Sequence, residues 1–321
     1  MTLSVPDILV TLSEIQQAAD RLRGHALRTP LLPFPGEALH LKAENLQPTG
    51  AFKLRGALNV LLGLSEAERA RGVVAHSSGN HAQAVAWAAA ALGVRAVVVM
   101  PENAPAVKFE RTRALGAEVV VVEASHEARE QRTEQLVLEQ GLVPVLPYDD
   151  RRIIAGAGTV GLEILEDLPG LQTVLVPVSG GGLISGVAAA IKRLKPSVRV
   201  IGVEPELAAD ARDSLRAGER VAWAPAQTAR TLADGLRVGQ VGELNWLHLQ
   251  ALVDDIVTVS EEEMLQAMRR ALLEARVVAE PSGAVSVAAG LRPELRGSGT
   301  VAVVSGGTVE ASLLTRVLAE A

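Results

Sequence analysis

Two kinds of segment alternate along most of the chain. Short runs rich in valine are typical of buried strands, whereas longer stretches with apolar residues every three or four positions are typical of helices. Strands separated by helices predict parallel strand-helix-strand units. The predicted strands are residues 39–43, 73–75, 96–100, 118–122, 174–178, 198–203, 252–259, 277–279 and 301–304. The predicted helices are residues 6–23, 80–92, 105–115, 126–140, 157–168, 183–194, 261–275 and 284–291, with one that begins near Thr49 and one that closes the chain.

The order of these elements predicts an α/β fold with two three-layer domains built on mainly parallel sheets. Two prolines within residues 144–148 and four charged residues after them interrupt the pattern. We therefore expect a small domain of residues 50–145 and a large domain made of residues 1–49 and 146–321. A long irregular region is expected between residue 203 and Trp246.

Composition restricts the partners and the chemistry. The 321 residues are 48% apolar, enough for a substantial core, and the net charge is −6 with no run of basic residues. This argues against a nucleic-acid or anionic-membrane surface and favours a small-molecule ligand. The longest apolar run, residues 84–94, is too short to span a bilayer. The absence of cysteine excludes disulfides, thiolate nucleophiles and cysteine zinc sites, and suits the cytoplasm, where we expect the protein.

Lys53 lies at an unusual position for a cation. Thr49 follows a proline and is a good N-cap residue, and leucines recur with helical spacing from residue 54 to residue 62, so a helix is predicted to begin here. The first turn of a helix carries the positive end of its dipole, which disfavours a protonated amine. With Phe52 and Leu54 beside it, desolvation also favours the neutral amine, a nucleophile that can form a Schiff base. The alternative is an ordinary lysine on a solvated face.

A run of glycines suggests an anion site. Ser179, Gly180, Gly181 and Gly182 follow the predicted strand 174–178 and precede a predicted helix. Glycine backbones can turn their N–H groups toward an anion, and the helix N-terminus adds its dipole, so this segment is a candidate phosphate site. No P-loop lysine follows it, which excludes a nucleotide-triphosphate loop. A tight turn between strand and helix is the alternative.

Residues 156–161 spell G-x-G-x-x-G, the pattern of a dinucleotide-binding turn. That turn needs a strand directly before it and an acidic residue about 20 positions later. Charged residues precede this segment, and the later position holds Pro177, Val178 and Ser179. We therefore reject a nicotinamide site.

Two more loops follow predicted strands. Residues 76–81 combine two serines, a glycine and an asparagine at a helix start, a set suited to holding a carboxylate, although simple N-capping by Ser78 or Asn80 is the alternative. Residues 303–307 place Ser305 and two glycines after a strand, where open α/β sheets bind ligands. A serine in a glycine turn is the alternative there.

These four elements, in this order, resemble the pyridoxal-phosphate enzymes of fold type II, the tryptophan synthase β-like group. Within it they are most similar to serine/threonine dehydratases, such as threonine deaminase, and to serine racemases. The resemblance covers nearly the whole chain, through residues 42–45, 49–56, 233–235, 280–283 and 305–307.

The resemblance implies a role for each segment. Lys53 holds the cofactor, pyridoxal phosphate, through a Schiff base, and Phe52 packs beside its ring. Asn80 binds the ring 3′-hydroxyl group and Ser305 meets the pyridine nitrogen. The other implied cofactor contacts are Ser179, Gly180, Gly181, Gly182 and Leu183 at the phosphate, and Gly235 and Glu280. The implied contacts to the substrate carboxylate are Ser77, Ser78, Gly79, Asn80 and His81.

The implied reaction is β-elimination on L-threonine or L-serine. Lys53 removes the α-proton, the β-hydroxyl group leaves as water, and hydrolysis gives a 2-oxo acid and ammonia. Ser78 occupies the position at which serine racemases place a second acid/base, so serine racemisation is an alternative. Two further alternatives are a β-replacing, cysteine-synthase-like transferase and a non-enzymatic α/β binding module.

An acidic segment follows the predicted strand 198–203. Carboxylate and carbonyl oxygens are hard ligands suited to Mg²⁺ or Ca²⁺, although a solvated acidic loop has the same spacing. By resemblance the ligands are Glu204, the carbonyl group of Ala208 and Asp210. The resemblance also implies a homodimer or a homotetramer. Because the chain ends at Ala321, we expect no C-terminal regulatory domain of the kind found in biosynthetic threonine deaminases.

Overall fold

The computed structural model describes residues 8–104 and 106–319, without the side chains of residues 107 and 126. Its strands are β1 Leu31–Pro33, β2 His40–Ala43, β3 Val73–His76, β4 Ala96–Pro101, β5 Glu118–Val122, β6 Val143–Pro144, β7 Thr173–Pro177, β8 Arg199–Pro205, β9 Asp255–Val259 and β10 Thr300–Val304. They are accompanied by helices α1 Leu12–Leu22, α2 Lys53–Leu62, α3 Glu66–Arg71, α4 Asn80–Leu92, α5 Ala106–Ala114, α6 His126–Gln140, α7 Arg151–Asp167, α8 Gly182–Leu194, α9 Asp210–Ala217, α10 Pro225–Thr228, α11 Glu243–Leu252, α12 Glu261–Leu273, α13 Pro281–Gly290 and α14 Ala311–Ala319.

The strands form two sheets. The larger sheet has the order β1-β2-β10-β7-β8-β9, and the smaller has the order β5-β4-β3-β6. Every pair is parallel except β1 with β2. The predicted α/β fold with mainly parallel sheets is therefore confirmed. All strands of the smaller sheet lie within residues 73–144, whereas those of the larger sheet come from both flanks; the domain boundaries themselves stay a prediction.

Helices cover both faces of each sheet. In β3, Val73 and Ala75 pack with α2 and α4 on one face, and Val74 packs with α6 on the other. The larger sheet has one apolar cluster with α12 and α13 and another with α7, α8 and α11. Because adjacent strand residues point to opposite faces, a strand buried on both sides is apolar at every position, as β4 is.

Several predicted boundaries are wrong for identifiable reasons. Helix α2 begins at Lys53, and its N-cap is Phe52 without a capping side chain, so Thr49 does not cap it. Helix α7 begins at residue 151 instead of 157, because Asp150 is its N-cap and accepts the N–H of Arg152 at 2.7 Å. The expected irregular region through residue 246 contains α9, α10 and the start of α11. Of the predicted helices 6–23 and 105–115, residues 6, 7 and 105 lie outside the described residues.

The predicted strand 277–279 is not a strand. The N–H of Val277 donates to the carbonyl of Ala271 at the end of α12, and the N–H of Glu280 donates to the carbonyl of Gly306. These bonds lead the chain to α13 instead of into a sheet. Residues 156–161 lie inside α7, where a side chain on Gly156 would approach the Arg55 carbonyl to 2.7 Å. These glycines therefore allow close helix packing. No helix within the described residues is long and apolar enough to cross a membrane.

Candidate functional site

Loops at the carboxyl ends of parallel strands lie close together. Residues 77–79 follow β3, residues 178–181 follow β7, and residues 305–307 follow β10. The loops after β7 and β10 are neighbours at one edge of the larger sheet, and the loop after β3 meets this edge because Asn80 reaches Glu280 and Gly306. Open α/β sheets bind ligands at the carboxyl ends of their strands. The structure thus gathers the three loops that the sequence singled out, together with the start of α2.

Lys53 is the first residue of α2, and its amine is enclosed although part of the side chain is exposed. The Nζ atom donates to the carbonyl oxygen of Pro147 at 2.5 Å and lies 5.1 Å from the centre of the Phe52 ring. Burial lowers the pKa of Lys53 to about 8. At that value roughly a tenth of the amines are neutral at pH 7, so Lys53 can act as a nucleophile or a base.

The segment before Lys53 is fastened to the loop after β10. The N–H of Phe52 donates to the Ser305 carbonyl at 3.0 Å, and the N–H of Gly307 donates to the Gly50 carbonyl at 2.9 Å. Ser305 is buried, and its hydroxyl donates to the carbonyl of Ser282 at 3.3 Å. These two hydrogen bonds hold the start of α2, which carries Lys53, beside the loop that carries Ser305.

The loop after β3 leaves the amide groups of α4 without a capping side chain. The N-cap is Gly79, so capping by Ser78 or Asn80 is wrong. The hydroxyl of Ser77 accepts the N–H of Gly79 at 3.2 Å, and Ser78 lies half-buried between them. Uncapped amides at a helix start can bind an anion such as a carboxylate.

His81 is buried in the first turn of α4, and its Nε2 lies 2.9 Å from the carbonyl oxygen of Val145. Burial, together with the charge of Lys53, lowers the pKa of His81 to about 3. The ring is therefore neutral at physiological pH, and its Nε2 donates to the carbonyl. Its Nδ1 atom is buried without a hydrogen-bond partner among the described residues.

Asn80 and Glu280 join the two sheets at this edge. The side-chain amide of Asn80 donates to Glu280 Oε1 at 2.7 Å. Burial and the nearby Asp234 raise the pKa of Glu280 to about 8. A side chain on Gly306 would approach Glu280 Oε1 to 2.3 Å and would displace that carboxylate. The N–H of Gly235 donates to Ser282 Oγ at 2.9 Å, which brings Gly235 to the same edge.

The glycine loop precedes α8, whose N-cap is Gly181 with a φ angle of +95° and no capping side chain. Leu183 is the second residue of that helix and is buried. A side chain on Gly180 would approach the Tyr148 ring to 2.5 Å. Ser179 Oγ accepts the N–H of Val238 at 3.4 Å. The loop therefore offers backbone amides and a helix N-terminus, the groups that hold a phosphate.

Sequence reasoning missed the residues that surround this loop. Pro147 contacts the Lys53 amine, and Tyr148 and Asn245 contact the loop glycines, all from regions that carried no motif. Asp149 accepts the N–H of Glu243 in the helix that carries Asn245. The only hint was that Tyr148 is the one tyrosine in the chain.

The predicted metal ligands form an acidic pair. Glu204 is fully buried and accepts the N–H groups of Ala211 and Arg212 at 3.1 and 2.8 Å. Burial and the neighbouring Asp210 raise the pKa of Glu204, and burial raises the pKa of Asp210 to about 7. Neither carboxylate oxygen of Asp210 has a hydrogen-bond partner among the described residues. Ala208, which lies between Glu204 and Asp210 in the sequence, is also buried. The described residues contain no group of three acidic or histidine side chains that could hold a metal ion.

Comparison with known proteins agrees with this geometry. A model of the pyridoxal-phosphate dependent enzymes matches residues 22–307. The chain is 44% identical to an L-threonine ammonia-lyase of Thermotoga maritima over 97% of this chain and 78% of that protein. It is 42% identical to a serine racemase of Arabidopsis thaliana over 92% of each chain. The structure of a maize serine racemase matches with a TM-score of 0.91 at 38% identity, over 97% of both chains.

The residues at this edge fit such a cofactor, because an enclosed amine of lowered pKa, uncapped backbone amides and a buried hydroxyl are the groups that an aldehyde, a phosphate and a pyridine ring require. The matched family and the fold lead to the same assignment. The chain belongs to the pyridoxal-phosphate dependent enzymes of fold type II.

Proposed function

We propose that this enzyme is an L-threonine/L-serine ammonia-lyase, which converts these amino acids to 2-oxobutanoate or pyruvate and ammonia by β-elimination of water. The observation that carries the proposal is Lys53, an enclosed amine with a pKa of about 8 at the ligand-binding edge. The 44% identity to an L-threonine ammonia-lyase supports the choice of reaction.

Each role rests on chemistry that the chain supplies. When bound, pyridoxal phosphate supplies an electron sink that acidifies the proton on the α-carbon of an amino acid. Lys53 would hold the cofactor through its aldehyde and Phe52 would pack beside it, and the Lys53 amine would take the α-proton of the substrate. The first-turn amides of α4, with residues 77–81, hold the substrate carboxylate. Residues 179–183 would hold the phosphate, and the residues that would line the ring are Asn80, Gly235, Glu280 and Ser305.

The direct test is the reaction itself. Purified protein should show an absorbance band at the blue edge of the visible and should release a 2-oxo acid and ammonia in equal amounts from L-threonine or L-serine. A colourless protein that stays colourless with added pyridoxal phosphate would leave only a non-enzymatic binding module. Consumption of O-acetylserine with sulfide, without ammonia release from threonine, would favour the β-replacing transferase.

Serine racemisation is the second candidate, because Ser78 offers a hydroxyl in the loop after β3 and serine racemases are among the similar proteins. Incubation with L-serine should then give D-serine as well as pyruvate. Ser78→Ala should abolish D-serine formation and spare pyruvate formation. Ser77→Ala is the matched control, since loss of the bond from Ser77 to the N–H of Gly79 should weaken both activities alike. Continued racemisation by Ser78→Ala would rule out this role.

We further propose that Glu204, Asp210 and the Ala208 carbonyl bind Mg²⁺ or Ca²⁺ as a structural ion. Buried carboxylate oxygens without partners are the support, because a divalent cation would compensate both charges. Millimolar Ca²⁺ or Mg²⁺ should raise the Tm of the wild type and leave that of Asp210→Asn unchanged. Asp213→Asn, on the same helix with a partly exposed side chain, is the control that should keep the response. Equal responses in all three proteins would exclude the site.

Residues 50–145 are proposed as a small substrate-gripping domain, since they contain the whole four-stranded sheet. A cytoplasmic homodimer or homotetramer is proposed for the assembly. Light scattering should give a mass of two or four chains, and limited proteolysis should cut first at the proposed domain boundaries.

A further inference from the structure

The carbonyl group of Gly180, inside the proposed phosphate loop, is held by two donors from one segment. The N–H of Gly242 donates to it at 3.1 Å, and the side-chain amide of Asn245 donates to it at 2.9 Å. Asn245 is fully buried and belongs to the first turn of α11. Neither residue carried a sequence motif, and neither has a part in the reaction described above.

The two hydrogen bonds to the Gly180 carbonyl also determine the direction of the Gly181 N–H group. The peptide bond is planar and trans, so the C=O of Gly180 and the N–H of Gly181 point in opposite directions. Asn245 is also packed directly against Gly181, because a side chain on Gly181 would approach Asn245 Cβ to 2.8 Å. The N–H of Gly181 is therefore directed away from Asn245 and cannot rotate without breaking two hydrogen bonds.

Asn245 is itself held by a residue next to the reaction centre. The carboxylate of Asp149 accepts the N–H groups of Glu243 and Leu244 at 2.9 Å each, and that of Asn245 at 3.3 Å. Asp149 thus caps α11 from a distant part of the chain. Its neighbour Tyr148 packs against Gly180, and Pro147 accepts the hydrogen bond from Lys53. Residues 147–149 therefore contact both the amine and the supports of the glycine loop.

We propose that Asn245, fixed by Asp149, is a positioning residue that presets the amide of Gly181 for the cofactor phosphate. Asn245 acts through the Gly180 carbonyl and need not touch the ligand. A preset donor does not have to be ordered when the anion binds, so the affinity for the phosphate is higher than that of a free loop. This inference rests on the proposed function, in which residues 179–183 bind the phosphate.

The test compares two probes that differ only in the phosphate. Full-length protein freed of cofactor is titrated with pyridoxal phosphate and, separately, with pyridoxal, while the absorbance band is followed. In Asn245→Leu the Kd for pyridoxal phosphate should rise about tenfold or more, as expected for loss of one hydrogen bond to the loop and disorder of its amide. The Kd for pyridoxal should change less than about twofold. Gln250→Leu, an exposed change on the same helix, should leave both values unchanged.

Other outcomes would overturn the inference. Equal weakening of both probes by Asn245→Leu would indicate a general structural role, and an unchanged Kd for pyridoxal phosphate would show that Gly181 needs no support. If Asn245→Leu does not fold, Asn245→Ala, which cannot overfill the site, is judged by the same two values. Failure of the phosphate assignment within the proposed function gives a different result: the wild type would then bind pyridoxal phosphate no more tightly than pyridoxal.

Discussion

Lys42 and Lys53 are both enclosed lysines, but Lys42 is paired with an acidic side chain and Lys53 is bonded to a backbone carbonyl. Lys42 is fully buried and donates to Glu163 at 2.6 Å and to the Thr29 carbonyl at 2.7 Å. Lys53, near the start of the next helix, donates to a backbone carbonyl and lies beside a phenyl ring. The first lysine lies in a network of opposite charges, and the second lies in a desolvated site that only lowers its pKa.

The network around Lys42 is balanced. It consists of Lys42, Glu44, Arg55 and Glu163, which we call the ion cluster. Arg55 is buried and pairs with Glu44 at 2.8 Å and with Glu163 at 2.7 Å. Burial opposes ionisation of both partners, but their mutual attraction outweighs it, so the pKa of Arg55 is raised and that of Glu44 is lowered. Each charge in the cluster is compensated by another side chain.

Helix α2 carries two kinds of buried charge. Arg55 connects α2 to the end of β2 and to α7 through the ion cluster, while Lys53 at the start of the same helix keeps a reactive amine. A compensated buried charge is costly to break and holds structure, whereas an uncompensated one changes its pKa and becomes available for chemistry. Lys42 therefore stabilises the fold, whereas Lys53 is available for the proposed reaction.

The largest expected effect separates the two lysines. Lys53→Met should remove the absorbance band and reduce the rate of 2-oxo acid formation by about 10³-fold or more, because the base and the covalent anchor are lost together. Its Tm without cofactor should not fall. Lys42→Met should keep the band but lose about 3–5 kcal/mol of unfolding free energy, because Glu163 loses a buried partner. The reverse assignment of effects would refute the comparison.

Breaking the ion cluster at its centre should also be severe. Arg55→Met leaves Glu44 buried without its main cation, so we expect a loss of about 3–5 kcal/mol in urea unfolding. Arg55→Met combined with Glu44→Gln should recover part of that loss, because the uncompensated charge is removed. Additive losses in the double variant would mean that the two groups do not interact.

A smaller effect concerns the pH dependence of Lys53. The rate at which cofactor-free protein bonds to pyridoxal should rise about tenfold per pH unit and level off near pH 8. Stopped-flow absorbance measures this rate, and N-acetyl-lysine amide is the control, whose rate should keep rising beyond pH 10. A plateau of this rate only above pH 10 would show that burial does not shift the pKa of Lys53.

The same shift of the Lys53 pKa affects stability. The folded protein binds fewer protons than the unfolded chain between pH 8 and 10.5, so the free energy of unfolding should rise with pH through that range.

The smallest effect belongs to a surface pair. Arg95 and Glu118 lie 2.7 Å apart with side chains 43% and 57% exposed. Arg95→Met should change the free energy of unfolding by less than about 1 kcal/mol, because water and salt screen the pair. Urea unfolding of Arg95→Met and Arg55→Met should be measured side by side. A much larger loss in Arg55→Met would show that burial of an ion pair determines its contribution to stability.

The class of fold and the segments of the candidate site could be predicted from the residues alone. Valine runs and apolar spacing are local patterns, and they predicted helices 80–92 and 126–140 and strand 118–122 with the observed bounds. The position of Lys53 in the first turn of a helix and the glycine run before another helix are also local facts. They follow from the residues themselves, because propensity and helix dipoles act within a few positions along the chain.

The partners of the buried charges and of the loop amides could not be predicted from the sequence. Nothing near Lys42 in the sequence indicates Glu163, which lies 121 residues away, and nothing near Gly180 indicates Asn245, 65 residues away. Thr49 is a residue type that often caps helices, but it does not cap α2. Asp149 instead caps α11, which begins 94 residues later in the chain. Such partners are chosen by the packing of helices and strands in space, so burial, pKa and loop support depend on contacts that no local pattern contains.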